Sequence, residues 1–232
     1  VVSTFLTIIS IAQLTSYFGV KFFGELSSAI SVYLVFSIAE PVLEREVSLR
    51  SSQLNKYIYV NYHLVKLLIV KILLSSSIVL CAGVVLNYFD IFELRYSIVG
   101  QVTVIALSLA GFSQTVFVAT GRVAMASLLI LIIPLSNFLS ISYAIFFGEG
   151  EYTFVVNYIL IISSLVLLYS LLWLFPVLKK IATDGRSKSY RNFNSFMDLF
   201  HILKIMRRTF GQYYMRASSV LRQNFLVVFS EI

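Results

Sequence analysis

The chain has 232 residues, of which 59% are hydrophobic and only 12% are charged, and its mean hydropathy is +0.89. A soluble domain carries about 25% charged residues, so this composition excludes a soluble globular protein. It predicts an all-α polytopic membrane protein. The net charge of +7 comes from basic residues between and after apolar runs, which indicates membrane orientation rather than nucleic-acid binding. The single cysteine, Cys81, excludes an intrachain disulfide.

Apolar runs long enough to cross a bilayer recur along the sequence. A hydrocarbon core about 30 Å thick needs roughly 20 helical residues. We predict six transmembrane helices, at residues 1–20, 22–39, 64–88, 96–120, 123–147 and 153–178. The first two helices are divided only by the short charged segment 21–25, which overlaps the start of the second. We therefore expect a tight helical hairpin with its turn there.

Lysine and arginine are unevenly divided between the two sides that six spans define. Lys21 and Arg95 lie on one side, together with an acidic turn at 148–151. Nine basic residues lie on the side of the termini: Arg45, Arg50, Lys56, Arg122, Lys179, Lys180, Arg186, Lys188 and Arg191. Because cytoplasmic loops carry the excess of basic residues, we predict that both termini are cytoplasmic, in the plasma (inner) membrane.

The connection between the second and third spans, residues 40–56, is rich in charge. Pro41 suits the first turn of a helix, and the apolar Leu43, Val47 and Leu54 recur near helical spacing. We predict a short amphipathic helix along the cytoplasmic surface. Charges of both signs favour docking against another protein, since a lipid-facing helix would be more uniformly basic.

The order of residues around this connection resembles type-2 ABC exporter permeases, particularly the white-like G subfamily. The segment EPVLERE at 40–46 is followed by residues that lead into the next span, namely Arg50, Tyr57, Tyr62 and Lys66. The resemblance covers roughly residues 26–178, and the fifth-span pattern with Pro134 is shared with haem-exporter permeases of the same superfamily. The short GEGEY between the last two spans departs from the large extracellular region of the G subfamily.

The resemblance implies a partner and a role for the charged connection. In such permeases this segment is the coupling helix, which contacts a separate ATP-binding subunit, and the second and fifth spans face a second permease copy. The sequence contains no GxxxxGK[ST] motif, so we expect a non-enzymatic subunit without a cofactor. The implied coupling residues are Glu40, Glu44, Arg45, Glu46 and Arg50.

Polar residues inside the predicted spans are candidates for a substrate path. Gln101 and Gln114 lie in the fourth span, and Asn137 follows Pro134 in the fifth. They either form interhelical hydrogen bonds, worth about 0.6 kcal/mol on average in membranes, or line a route between two permease copies. Lys71 lies deeper in the third span than Lys66, which leaves open a partner or a wet cavity there.

Two further features leave the function open. Residues 1–180 form the predicted permease domain, and residues 181–232 form a basic amphipathic cytoplasmic tail. His63 and His201 lack the neighbouring ligands that a metal site needs. The alternatives are a membrane subunit of a respiratory or ATP-synthase complex and a channel or receptor. A proton-path subunit should have a buried Arg, Glu or Asp in mid-span, and none is obvious in this sequence.

Overall fold

The computed structural model describes residues 2–37, 43–49, 58–148 and 150–184, which form α-helices and no strand. The helices are α1 (Val2–Tyr17), α2 (Val20–Phe36), α3 (Glu44–Leu49), α4 (Ile58–Tyr88), α5 (Leu94–Ala119), α6 (Val123–Leu129), α7 (Ile132–Phe147) and α8 (Glu151–Asp184). Three of them, α4, α5 and α8, are long and apolar enough to cross a membrane, and the bent pair α6 and α7 would make a fourth span. The described part of the chain is therefore all-α, and its long apolar helices are those of an integral membrane protein.

Helix α5 lies at the centre of the bundle and contacts α2, α4 and α8. Half of the residues in the most apolar 18-residue stretch of α5 are buried, against 22% in the corresponding stretch of α8. The outer faces of the surrounding helices expose large apolar side chains such as Val84, Phe146 and Phe175. Lipid tails are as apolar as these side chains, so the faces are suited to contact with lipid.

The antiparallel seam between α4 and α5 has a regular register. Ser75 Oγ and Ser108 Oγ are 2.9 Å apart. One turn away, four residues later in α4 and four residues earlier in α5, Val79 and Val104 are both buried. The next level joins Gly83 to the side chain of Gln101. The seam therefore alternates polar and apolar levels, and α5 donates or accepts hydrogen bonds at several depths.

Three turns meet at one end of the bundle, which we call the hairpin end. The ring of Phe18, in the α1–α2 turn, lies 5.5 Å from that of Phe154 near the start of α8. Arg95, at the start of α5, donates to Glu151 at the start of α8, with 2.6 Å between Nη1 and Oε2. The turns α1–α2, α4–α5 and α7–α8 therefore share this end, as alternating helices require.

The first two helices differ in length and boundary from the prediction. The turn lies at Phe18 and Gly19, because Gly19 adopts a φ of +90° that other residues rarely reach. Lys21 and Glu25 instead remain helical in α2, with 3.8 Å between Nζ and Oε1. The two helices have 16 and 17 residues, fewer than the roughly 20 that span a bilayer. The predicted turn at 21–25 is therefore wrong, and six spans remain a prediction.

The predicted span 123–147 is divided into α6 and α7, whose axes differ by 49°. Pro134 lies in the first turn of α7 and has no N–H to donate to the carbonyl of Ile130. Ile130 and Leu131 instead donate to carbonyls three residues back, at 3.4 and 3.0 Å. The proline thus accounts for the bend.

Two predicted segments lie partly outside the described residues. Of the predicted coupling helix at 40–56, the structure describes 43–49. Helix α8 continues without a break across the predicted domain boundary at residue 180 and ends at Asp184. Residues 185–232, which carry the rest of the predicted tail and His201, are not among those described.

Candidate functional site

The short helix α3 packs on the core of the bundle at the end opposite to the hairpin end. It follows α2 and precedes α4 in the chain, and it contacts α5. Leu43 and Val47, four residues apart, are 0% and 2% exposed and belong to the main hydrophobic core. Two apolar side chains at this spacing lie on one face of a helix, so α3 turns an apolar face towards α5.

An ion pair joins α3 to α4. Glu44 Oε1 lies 2.9 Å from Lys71 Nζ, and the Lys71 side chain is fully buried whereas that of Glu44 is 21% exposed. Lys71 lies thirteen residues into α4, about 20 Å along its axis. A buried ammonium group is costly unless an opposite charge compensates it. The carboxylate of Glu44 therefore compensates the charge of the buried Lys71.

This placement changes the interpretation of Glu44 as a coupling residue. The sequence suggested charges facing a partner, but Glu44 is turned inward, towards Lys71. Arg45 and Glu46 lie in α3, although their side chains are not among those the structure describes. Glu40 and Arg50 lie outside the described residues. Of the predicted coupling set, Glu44 is therefore the one member whose side chain lies among those described.

Gln101 belongs to a polar cluster between α2, α4 and α5. Its Nε2 donates to Tyr33 Oη at 3.2 Å and to Ser97 Oγ at 3.1 Å. Tyr33 Oη and Ser97 Oγ are themselves 2.6 Å apart, and both side chains are 0% exposed. The backbone of Gly83 leaves room for the amide. The cluster therefore gives Gln101 interhelical hydrogen bonds, which are one of the two roles that the sequence left open for it.

The three predicted substrate-path residues lie in different parts of the bundle. Gln101 and Gln114 are thirteen residues apart on α5, which separates them by about 20 Å along the helix axis. Gln114 is half-buried near the end that carries α3. Asn137 is half-buried in α7, on the packed face that also carries Ser140 and Ile141. The structure therefore does not bring the three together at one level.

Other polar contacts also tie α5 to its neighbours. Trp173 Nε1 donates to Ser113 Oγ at 2.9 Å, which links α8 to α5. Thr103 Oγ1 donates to Tyr158 Oη at 3.3 Å, again between these helices. The sequence indicated Lys71 but not its partner Glu44, and it did not indicate Tyr33, Ser97 or Ser113. Serine and tyrosine are too common in membrane helices for the sequence alone to single them out.

Comparisons of this chain with family models, with curated proteins and with solved structures found no match. The arrangement itself defines a class of site: a short helix fastened to an apolar helical bundle by a buried ion pair and an apolar face.

Proposed function

We propose that this chain is the membrane-spanning permease subunit of an ABC exporter, which works with a second permease copy and with a separate ATP-binding subunit. ATP binding and hydrolysis by that partner would move α3, and the motion would change the tilt of the spanning helices. The role of α3 is that of a coupling helix. This chain forms the substrate path across the membrane, and the partner hydrolyses ATP.

The observation that carries the proposal is the docking of α3. A coupling helix has to transmit force, and a surface helix held only by exposed charges would slide, because exposed ion pairs contribute little. Here Leu43 and Val47 are buried against the core, and Glu44 binds Lys71 inside it. A displacement of α3 is therefore passed directly to α4 and α5.

The proposal predicts a stoichiometric ATP-binding partner. We expect tagged full-length chain, purified from its native membranes in mild detergent, to carry a subunit that contains GxxxxGK[ST] and hydrolyses MgATP. Charge reversal at Arg45, a predicted coupling residue, should reduce both the amount of that subunit and the ATP hydrolysis several-fold. Mass spectrometry and ATPase assay of the purified complex measure these quantities.

Lys179→Glu is the matched control, since Lys179 is an exposed basic residue at the same end of the bundle but on α8. It should leave the partner bound. If no ATP-binding subunit copurifies, or if Arg45→Glu and Lys179→Glu behave alike, the proposed coupling role is wrong.

The proposal also includes an orientation, with the hairpin end outside and the α3 end in the cytoplasm. The nine-to-two distribution of basic residues supports it. In a Cys81→Ala background, we expect an impermeant maleimide to label Asp90→Cys in intact cells. The same reagent should label Lys179→Cys only after permeabilisation. Labelling of both positions in intact cells would contradict the topology, and the reverse pattern would invert the orientation.

A subunit of a proton-translocating complex is the second candidate, because Lys71 is a buried charged residue within a spanning helix. The level of the α4–α5 seam that follows Ser75 and Ser108, however, consists of Val79 and Val104, both buried. These apolar side chains separate Lys71 and Ser75 from the cluster around Gln101. The purification described above discriminates the two, since respiratory or ATP-synthase subunits would then copurify instead.

A further inference from the structure

An apolar cleft opens on the outside of the bundle where α4, α5 and α8 meet. Its volume is about 390 Å³, within the range of about 300–1,000 Å³ that is typical of ligand pockets. Three buried side chains, one from each helix, form its base: Leu68, Ala106 and Val166. Exposed apolar side chains form its rim: Ile72, Leu167 and Leu171. The cleft is therefore accessible from the surrounding membrane.

Small side chains leave the space for the cleft. Ala106 lies in α5, and Ser163 and Ser170 lie seven residues apart on one face of α8. Ser170 Oγ is 3.4 Å from Ser113 Oγ, so its hydroxyl is directed towards α5. The other described residues that line the cleft are valine, leucine and isoleucine, and none is charged. An occupant must be apolar, because a polar group without a partner is costly in such surroundings.

The length and volume of the cleft suit one hydrocarbon chain. On α8 the lining runs from Ser163 to Leu174, eleven residues or about 16 Å along the helix axis. One leaflet of a hydrocarbon core about 30 Å thick has nearly the same depth. A further helix of that length, about 10 Å in diameter, would take up roughly 1,200 Å³. The cleft therefore has room for a lipid acyl chain but not for a helix of a second copy.

The cleft lies in the half of the bundle nearer to α3. Ser163 is about 18 Å from the start of α8 at the hairpin end, and Leu174 is about 34 Å from it. Leu68 and Ile72, which line the cleft from α4, lie in the half of that helix nearer to its start at the α3 end. An acyl chain in the cleft would thus belong to a lipid of the leaflet on the α3 side, with its headgroup beyond Leu174.

Basic residues lie at the end of the cleft where this headgroup would be. Arg122, which follows α5, has its Nη1 3.5 Å from the carbonyl oxygen of Leu172, so its charge is at the level of Leu174. Lys179 and Lys180 follow Leu174 on α8 by about 8 Å. At the hairpin end, four acidic residues stand against two basic ones: Glu25, Asp90, Glu93 and Glu151, and Lys21 and Arg95. An anionic headgroup is therefore complemented at the α3 end and not at the hairpin end.

We propose that the cleft between α4, α5 and α8 binds one acyl chain of an anionic phospholipid from the leaflet on the α3 side, with the phosphate near Arg122 and Lys179. The chain completes the packing of α8, which is less buried than α5. The apolar lining holds the chain, and the basic residues select the headgroup. The site concerns lipid binding alone, and it stands whether or not the chain is an exporter.

A photoreactive phosphatidylglycerol tests the proposal. The full-length chain, reconstituted in phosphatidylcholine nanodiscs, is titrated with a phosphatidylglycerol that carries a diazirine near the end of one acyl chain. We expect saturable labelling of peptides that contain 68–72, 102–109 and 163–174. A phosphatidylcholine probe with the same acyl chain should need a concentration about five-fold higher or more, because each basic residue near the surface favours an anionic headgroup by about that factor.

Ser163→Phe and Ser164→Phe form a matched pair, since both serines are exposed on α8 but only Ser163 lines the cleft. A phenylalanine at 163 fills the end of the cleft furthest from the headgroup. Labelling of Ser163→Phe should therefore weaken by about five-fold or more, and unlabelled phosphatidylglycerols with shorter chains should become the better competitors. Ser164→Phe should stay within about two-fold of the unaltered chain. Size-exclusion chromatography and Trp173 fluorescence show whether each variant is folded.

The headgroup preference is tested separately. A double variant, Arg122→Gln with Lys179→Gln, should reduce the advantage of phosphatidylglycerol over phosphatidylcholine to less than about two-fold. Lys21→Gln is the control, because Lys21 is an exposed basic residue at the hairpin end. It should keep the full preference.

Three results would overturn the site. The first is labelling of the cleft peptides that does not saturate, which means either exchange with bulk lipid or a cleft that a second copy covers. The second is equal labelling by the two headgroups. The third is an equal effect of the two phenylalanine substitutions. The titration and the comparison of headgroups need no variant, so they decide the matter even if Ser163→Phe does not fold.

Discussion

Glu44→Leu is expected to destabilise the protein by about 3 kcal/mol, because it removes the carboxylate that compensates a fully buried lysine. A buried pair that loses one partner retains the desolvation cost of the other charge. The second substitution, Lys71→Met in the same chain, should recover most of the loss, since replacing both charges with apolar groups is often neutral. Unfolding by SDS in mixed micelles measures both effects.

The single tryptophan provides the signal for this experiment. Trp173 is 2% exposed and donates to Ser113 Oγ, so its fluorescence reports the packing of α8 on α5. Ser48→Ala is the control, since Ser48 is exposed on the same short helix. It should change stability by no more than about 0.5 kcal/mol. An unaltered stability of Glu44→Leu, or a double variant as unstable as Glu44→Leu alone, would contradict the role assigned to the ion pair.

Gly100→Ala should destabilise the contact between α2 and α5 by about 1–3 kcal/mol. A Cβ at Gly100 would lie 2.5 Å from Cδ2 of Tyr33 and 3.1 Å from the carbonyl oxygen of Ala29. Tyr33 has little freedom to move, because its ring is 0% exposed and its hydroxyl is bonded to Ser97. The added methyl group must therefore push α2 away from α5 or break that hydrogen bond.

Gly111→Ala, on the same helix, is the matched control. No heavy atom lies within 4 Å of a Cβ built at Gly111, and alanine favours a helix over glycine by roughly 1 kcal/mol. Gly111→Ala should therefore leave stability unchanged or raise it. The same SDS unfolding assay compares the two variants. Equal stabilities of Gly100→Ala and Gly111→Ala would mean that the close approach at Gly100 does not matter.

Several features of this fold were accessible from the sequence because they depend on local composition. The apolar runs that become α4, α5 and α8 exceed the thickness of a bilayer, and no tertiary contact is needed to recognise them. Pro134 indicates a bend or break in its helix, because a proline has no backbone N–H to donate at any position. The predicted turn at 21–25 is wrong because a cluster of charges does not by itself mark a turn. Lys21 and Glu25 pair within α2, whereas Gly19 adopts the positive φ of the turn.

By itself, the sequence determined the class of protein, because composition and the length of apolar runs set which solvent surrounds a chain. Which side chains meet was decided only by the tertiary structure. Lys71 needed a carboxylate, but Glu44 comes from another helix, 27 positions earlier in the chain, and nothing in the spacing selects it. Pairings between helices depend on rotation and register, and these are set by the sum of many weak contacts along each interface rather than by any local pattern.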